Sequence, residues 1–237
     1  MRRMPSERFL ALAEAAEAQA DDIVASSFEN WPAAAVDRAF ARPARSIVCG
    51  PAALHSLLSH NASYAARHGS TPGGSWPDVA DPAWPGDGAY FPKLGPLSWK
   101  ERPELARIDL DRDTPEAWCA LLPWGVTDRL AAVLGVFVLQ DMPTYLHLFP
   151  YRDMATLAEA RFMTRAGHLY DARWHRPPPR GRLATLQGRM HDLAEELAPA
   201  LPFGDAFIDL CANWTDDGDV AVLEINPKPR SPMPETD

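Results

Sequence analysis

The chain has 237 residues and a mass of 26.1 kDa, enough for one large domain or two small ones. Hydrophobic residues make up 46% and charged residues 23%, which excludes wholesale disorder, and the formal charge of −9 excludes a non-specific nucleic-acid binder, which needs a basic surface. Proline is frequent, with 24 residues grouped at 72 to 96, 177–179 and 227 to 234, a pattern of rigid loops around a core.

No window approaches the roughly 18 consecutive apolar residues of a transmembrane helix. The start, MRRMPSERFLALAEAAEAQADD, lacks the uninterrupted apolar run of a signal peptide, so a soluble cytoplasmic protein is expected. Cys49, Cys119 and Cys211 are far apart and lack CxxC grouping; they read as buried small hydrophobes rather than zinc ligands or disulfides.

In chain order, Phe9, Leu10, Ala13, Ala16, Ala20 and Ile23 recur at helical spacing and predict a helix over 7–24. Phe28 and Trp31 follow, and Pro32 closes the element. Arg45 to Cys49 reads as a short strand, and Gly50-Pro51 opens a helix carrying Leu54, Leu57 and Leu58. Ser70 to Gly88 has no usable periodicity and reads as an irregular loop; Ala89 to Leu94 is a short strand. Thr114-Pro115-Glu116 starts a helix. Ala131 to Leu139, the most hydrophobic run, predicts a buried strand. Glu159–Thr164 and His168–His175 predict a hairpin turning at Arg165-Ala166-Gly167. Leu183 to Leu197 is an amphipathic helix ended by Pro199, and Ala206–Asn213 with Val220–Asn226 forms a second hairpin. Helices mixed with hairpins predict an α+β architecture.

The last hairpin carries the sharpest chemical argument. With Asp217-Gly218 as a primed turn, Asp209 faces Asn226 and Cys211 faces Glu224. Alternation then puts Ala206, Ile208, Leu210, Ala212, Ala221, Leu223 and Ile225 on one face. Asp209, Asn213, Glu224 and Asn226 share the other with Phe207, Cys211, Val220 and Val222. Carboxylates this close repel each other unless a cation is present, and hard oxygen ligands suit Mg²⁺. A surface hairpin with a simply solvated polar face is the competing reading.

Asp209 with Glu224-Ile225-Asn226-Pro227 resembles the metal-binding end of the ATP-grasp superfamily. Within it the chain is similar to the D123 (cell-division-cycle 123) family. Phe91-Pro92-Lys93-Leu94 followed by Ser98-Trp99-Lys100-Glu101 resembles that family's F-P-K-L and S-x-x-K/R-[DE] segments. Glu159-Ala160-Arg161-Phe162 resembles its arginine-bearing strand, and Phe28-Glu29-Asn30-Trp31-Pro32 its F-x-x-W-P segment, all in the same order. Glu224 stands where eukaryotic members often carry Asp. The alanine- and arginine-rich, lysine-poor composition resembles that of high-GC bacterial proteins.

The resemblance implies an ATP-grasp-like fold with ATP and Mg²⁺ between two lobes, set here at 1–139 and 140–237. It implies Lys93 and Arg161 as the phosphate-contacting, catalytic cations, with Lys100 lining a loop over the phosphates. Gln140 and Asp141, after the expected buried strand, would border adenine and ribose; His175 would approach the phosphates; Asp209, Glu224 and Asn226 would hold Mg²⁺. Lys93, Lys100 and His175 have a plainer reading as solvated surface groups, Arg161 as a surface hairpin salt bridge, and Gln140-Asp141 as a plain strand-end turn. No Gly-x-Ser-x-Gly, Walker or Rossmann fingerprint supports a hydrolase, P-loop or dinucleotide site. Two functions follow from the resemblance. One is a ligase that phosphorylates a small-molecule or peptide carboxylate for attack by an amine. The other is an ATP-dependent assembly factor for a protein partner, as eukaryotic D123 proteins are for a translation-initiation factor.

Overall fold

The computed structural model describes residues 4–73, 84–99, 102–215 and 219–229. Its first half runs α1 (Glu7–Glu17), α2 (Ala20–Ala25), α3 (Ala33–Asp37), β1 (Arg45–Cys49), α4 (Pro51–Leu58), α5 (Ala62–His68), β2 (Ala89–Leu94), β3 (Leu97–Ser98), α6 (Pro103–Ala106) and β4 (Ile108–Asp109). There follow α7 (Pro115–Cys119), α8 (Asp128–Leu139), β5 (Thr144–Pro150), β6 (Leu157–Arg165), β7 (His168–Arg176), α9 (Leu183–Leu197), β8 (Ala206–Asn213) and β9 (Ala221–Pro227). The expected α+β mixture, with antiparallel sheets, is what forms.

The chain makes two compact units, residues 1–24, 43–151 and 229–237 in the first, 25–42 and 152–228 in the second. The expected boundary at 139/140 falls inside the first unit, because β5 pairs there with both β1 and β2. That unit's sheet has the order β1-β5-β2-β3, with β4 on β2. Its core joins Ile47, Leu94, Leu146 and Leu148 of the sheet to Phe9, Leu12, Leu54, Leu58 and Phe137 of the helices.

The run from Ala131 to Leu139 is helix, not strand. Thr127 caps it, its Oγ1 accepting from the Leu130 N–H at 3.2 Å, and Asp128 sits in the first turn. Leu130, Ala131, Leu134, Val136 and Phe137 are all buried, so the helix is apolar around most of its circumference. A run without polar interruptions has no period to read, and tertiary burial overrides the strand preference of its valines. The continuous helix expected over 7–24 is also interrupted, at Ala18 and Gln19.

In the second unit the sheet order is β7-β6-β8-β9. The β6–β7 turn uses Ala166 and Gly167, both left-handed at φ 48° and 77°, as a primed hairpin turn requires. On one face Ala158, Ala160, Phe162, Ile208, Leu210 and Ile225 pack with Leu186, Met190, Leu193 and Leu197 of α9. At the outer edge of β9, Val222 bonds to segment 38–40, donating to the Arg38 carbonyl (2.7 Å) and accepting from the Phe40 N–H (2.8 Å).

Candidate functional site

The face of β6, β8 and β9 opposite α9 carries the charge. Because side chains alternate, Glu159, Arg161 and Met163 of β6 share it with Phe207, Asp209 and Cys211 of β8 and Glu224 and Asn226 of β9. The pairing is two residues away from the expected one: Asp209 stands opposite Glu224, and Phe207 opposite Asn226. A bulge between Asp209 and Leu210 then shifts the register, so Leu210 pairs with Val222 and Cys211 with Ala221. This reverses the assignment of Val220 and Val222, which belong to the apolar core.

Continuing outward, Arg161 pairs with Asp209 on one side and with Arg173 of β7 on the other. A single cross-sheet row therefore reads Arg173, Arg161, Asp209, Glu224, two cations followed by two carboxylates. Arg161 grips Asp209 with two parallel bonds, Nε to Oδ1 at 2.8 Å and Nη2 to Oδ2 at 2.7 Å. Its guanidinium lies 4.8 Å from the Phe207 ring centroid. Asp209 is only 2% exposed, so it needs this counter-charge. The Arg161 guanidinium is pushed above its usual range, chiefly by the hydrogen bond to Asp209 and further by the charges of Asp209, Glu224 and Glu159, with burial opposing them. Burial, with Glu159 adding to it, pushes the Cys211 thiol up to about 12.

The donor chemistry here fits Mg²⁺. Two carboxylates face each other on neighbouring strands, with an amide two residues along. Each carboxylate oxygen has lone pairs beyond those Arg161 uses. Among the described residues no group of three or more histidines, cysteines and acids is arranged for a metal ion. Asp209, Glu224 and Asn226 would offer two carboxylates and one amide, and Mg²⁺ would complete such a set with waters and phosphate oxygens.

The other expected site residues fall differently. Lys93 lies in the first unit, on β2, paired in register with His147 of β5 and Ser98 of β3. His147 is 2% exposed, its Nδ1 2.8 Å from Ser46 Oγ and its ring stacked on Tyr145. Lys100 and the Asp217-Gly218 turn lie outside the described residues. His175 is exposed and falls at a bulge, between the pairs Glu159–Arg176 and Ala160–Trp174.

Gln140 and Asp141 follow a helix rather than the expected strand. Gln140 Nε2 donates to Asp21 Oδ1 at 2.9 Å. Asp141 is left-handed at φ 52°, and the next two N–H groups close the helix, Asp141 onto Val138 (3.2 Å) and Met142 onto Phe137 (2.9 Å).

No protein-family model and no curated protein matches the chain. Solved structures do. Cdc123 from Schizosaccharomyces pombe aligns with a TM-score of 0.57 at 15% identity, covering 90% of this chain and 87% of that one. The C-terminally truncated Cdc123 from the same organism gives 0.57 at 16% identity, covering 89% and 87%. The fold is that of Cdc123.

Likeness to Cdc123 over nine-tenths of the chain agrees with the D123-type motifs. At this identity it establishes the fold and not the chemistry. Within that fold, sequence reasoning missed Arg173 and Glu159. Glu159 was visible two residues before Arg161, where alternation puts it on the same face. Arg173 becomes a neighbour of Arg161 only through the register of the β6–β7 hairpin. No helix among the described residues is long and apolar enough to cross a membrane.

Proposed function

We propose that the chain binds Mg²⁺-ATP on the charged face of the second unit and acts as an ATP-dependent assembly factor for a protein partner. The observation that carries the reading is the row of Arg161, Asp209 and Glu224, with Asn226 beside it. Its supports are the Cdc123 fold over most of the chain and the D123-type motifs in order. Asp209, Glu224 and Asn226 would hold Mg²⁺, which when bound neutralises phosphate charge. Arg161 would reach phosphate oxygens through guanidinium N–H groups beyond the two that it donates to Asp209, with His175 as a further contact. Only three of the 23 basic residues are lysines, Lys93, Lys100 and Lys228, and the first two stand in the motifs. Gln140 and Asp141 carry less of the reading, because their expected role rested on a strand that the helix α8 replaces.

A second reading, an ATP-dependent ligase joining a carboxylate to an amine, is favoured by the bacterial type of composition, since a bacterium lacks the eukaryotic partner. Calorimetry and product analysis on the full chain decide between them. The assembly-factor reading expects saturable, Mg²⁺-dependent ATP binding without release of ADP and phosphate. Release only with a small carboxylate plus an amine moves the conclusion to the ligase. Absence of ATP binding overturns both.

A further inference from the structure

Arg173 stands directly opposite Arg161 on the β6–β7 pair. Like charges in direct cross-strand register repel, so the arrangement calls for an anion or for separate counter-ions. Arg161 has one, the buried Asp209. Among the described residues Arg173 has a long bond from Nε to Asp171 Oδ2, 3.3 Å, on its own strand, and its side chain is 72% exposed. The surroundings are basic although the chain is acidic as a whole. Between residues 161 and 182 lie Arg161, Arg165, Arg173, Arg176, Arg180 and Arg182 against a single acid, Asp171. The row is thus ordered by charge, with the proposed metal donors at one end and an accessible guanidinium at the other.

We infer that Arg173 is a second guanidinium contact for the polyphosphate of a nucleoside triphosphate, engaging the terminal phosphate while Arg161 stays beside Asp209. This rests on the nucleotide reading above and deepens it by assigning a residue that discriminates triphosphates. A cation at an edge strand also guards that edge against pairing with other chains, the plainer role for Arg173. The two roles separate experimentally, because edge protection does not depend on the number of phosphates.

The test is calorimetric titration of the full chain and its Arg173→Ala and Arg173→Lys variants with MgATP, MgADP and AMP. The inference expects Arg173→Ala to weaken MgATP about tenfold, as loss of a charge-assisted hydrogen bond does, to weaken MgADP less, and to leave AMP unchanged. Arg173→Lys recovers part of the loss, and the urea midpoint of both variants matches the wild type. Equal weakening of all three nucleotides, or no weakening of any while the wild type binds MgATP, overturns the inference and leaves the nucleotide reading standing. A wild type that does not bind MgATP overturns both.

Discussion

The two sheets each bury one face under helices and differ in what the other face carries. In the first unit, β2 and β5 align Phe91, Lys93, Tyr145, His147 and Phe149, an aromatic face with a buried histidine anchored to Ser46. In the second, β6, β8 and β9 align Glu159, Arg161, Asp209, Glu224 and Asn226. The aromatic face is held by ring stacking and dispersion. The charged face is held by an ion pair with a buried member, so its charges are interdependent. We propose phosphate and metal chemistry for the second arrangement, where Arg161 offsets the cost of burying Asp209.

The largest expected effect breaks that contrast directly. Arg161→Ala leaves Asp209 buried without its counter-charge and should cost about 3 kcal/mol in urea unfolding, whereas Lys93→Ala should change stability by less than about 0.5 kcal/mol. Equal small effects would mean that Asp209 finds water when Arg161 is removed. The double variant Arg161→Met/Asp209→Leu should recover much of the stability, since an apolar pair of similar volume replaces the ions.

Alkaline pH sharpens the comparison at intermediate size. Burial raises Cys211 in the second unit to about 12, and Cys119 and Tyr64 in the first to about 12. A group whose pKa is raised by folding contributes stability that is complete below its unfolded value and is lost as pH rises toward the folded one. Thermal stability should therefore hold to about pH 9 and fall between pH 9 and 12, and Cys211→Ala should flatten part of that fall. A flat profile to pH 11 would show the thiols and phenol to be better solvated than their burial implies.

The smallest effects concern two strained turns, one in each unit. Asp141 at φ 52° and Ala166 at φ 48° hold a left-handed backbone without being glycine. Asp141→Gly and Ala166→Gly should each stabilise by roughly 0.5–1 kcal/mol, less for Asp141 because aspartate tolerates this region. Asp141→Gly also separates a helix-terminating role from a ribose contact: the first leaves nucleotide affinity unchanged, the second lowers it.

Much of the second sheet was legible because its strands alternate cleanly and Gly167 marks the hairpin turn. That Glu224 and Asn226 share the face of Asp209 followed from parity, yet the direct opposition of Asp209 and Glu224 and the place of Val220 and Val222 in the core did not. Register there depends on a loop whose length the sequence leaves open and on a bulge that the spacing does not announce. The first unit was harder. The run at 131–139 offers no polar residue to set a period, and the informative signal lay just before it, in Thr127-Asp128 as a helix cap. Misreading that run as a strand also placed Gln140 and Asp141 at a strand end and set the domain boundary before β5 instead of after it.

The most direct measurement is titration of MgATP into the wild type and into the Asp209→Asn/Glu224→Gln double variant, with circular dichroism confirming that both are folded. Saturable binding by the wild type that requires Mg²⁺ and disappears in the double variant is the predicted result. Equal affinity in the two proteins would contradict the assignment of Mg²⁺-ATP to the charged face of the second sheet.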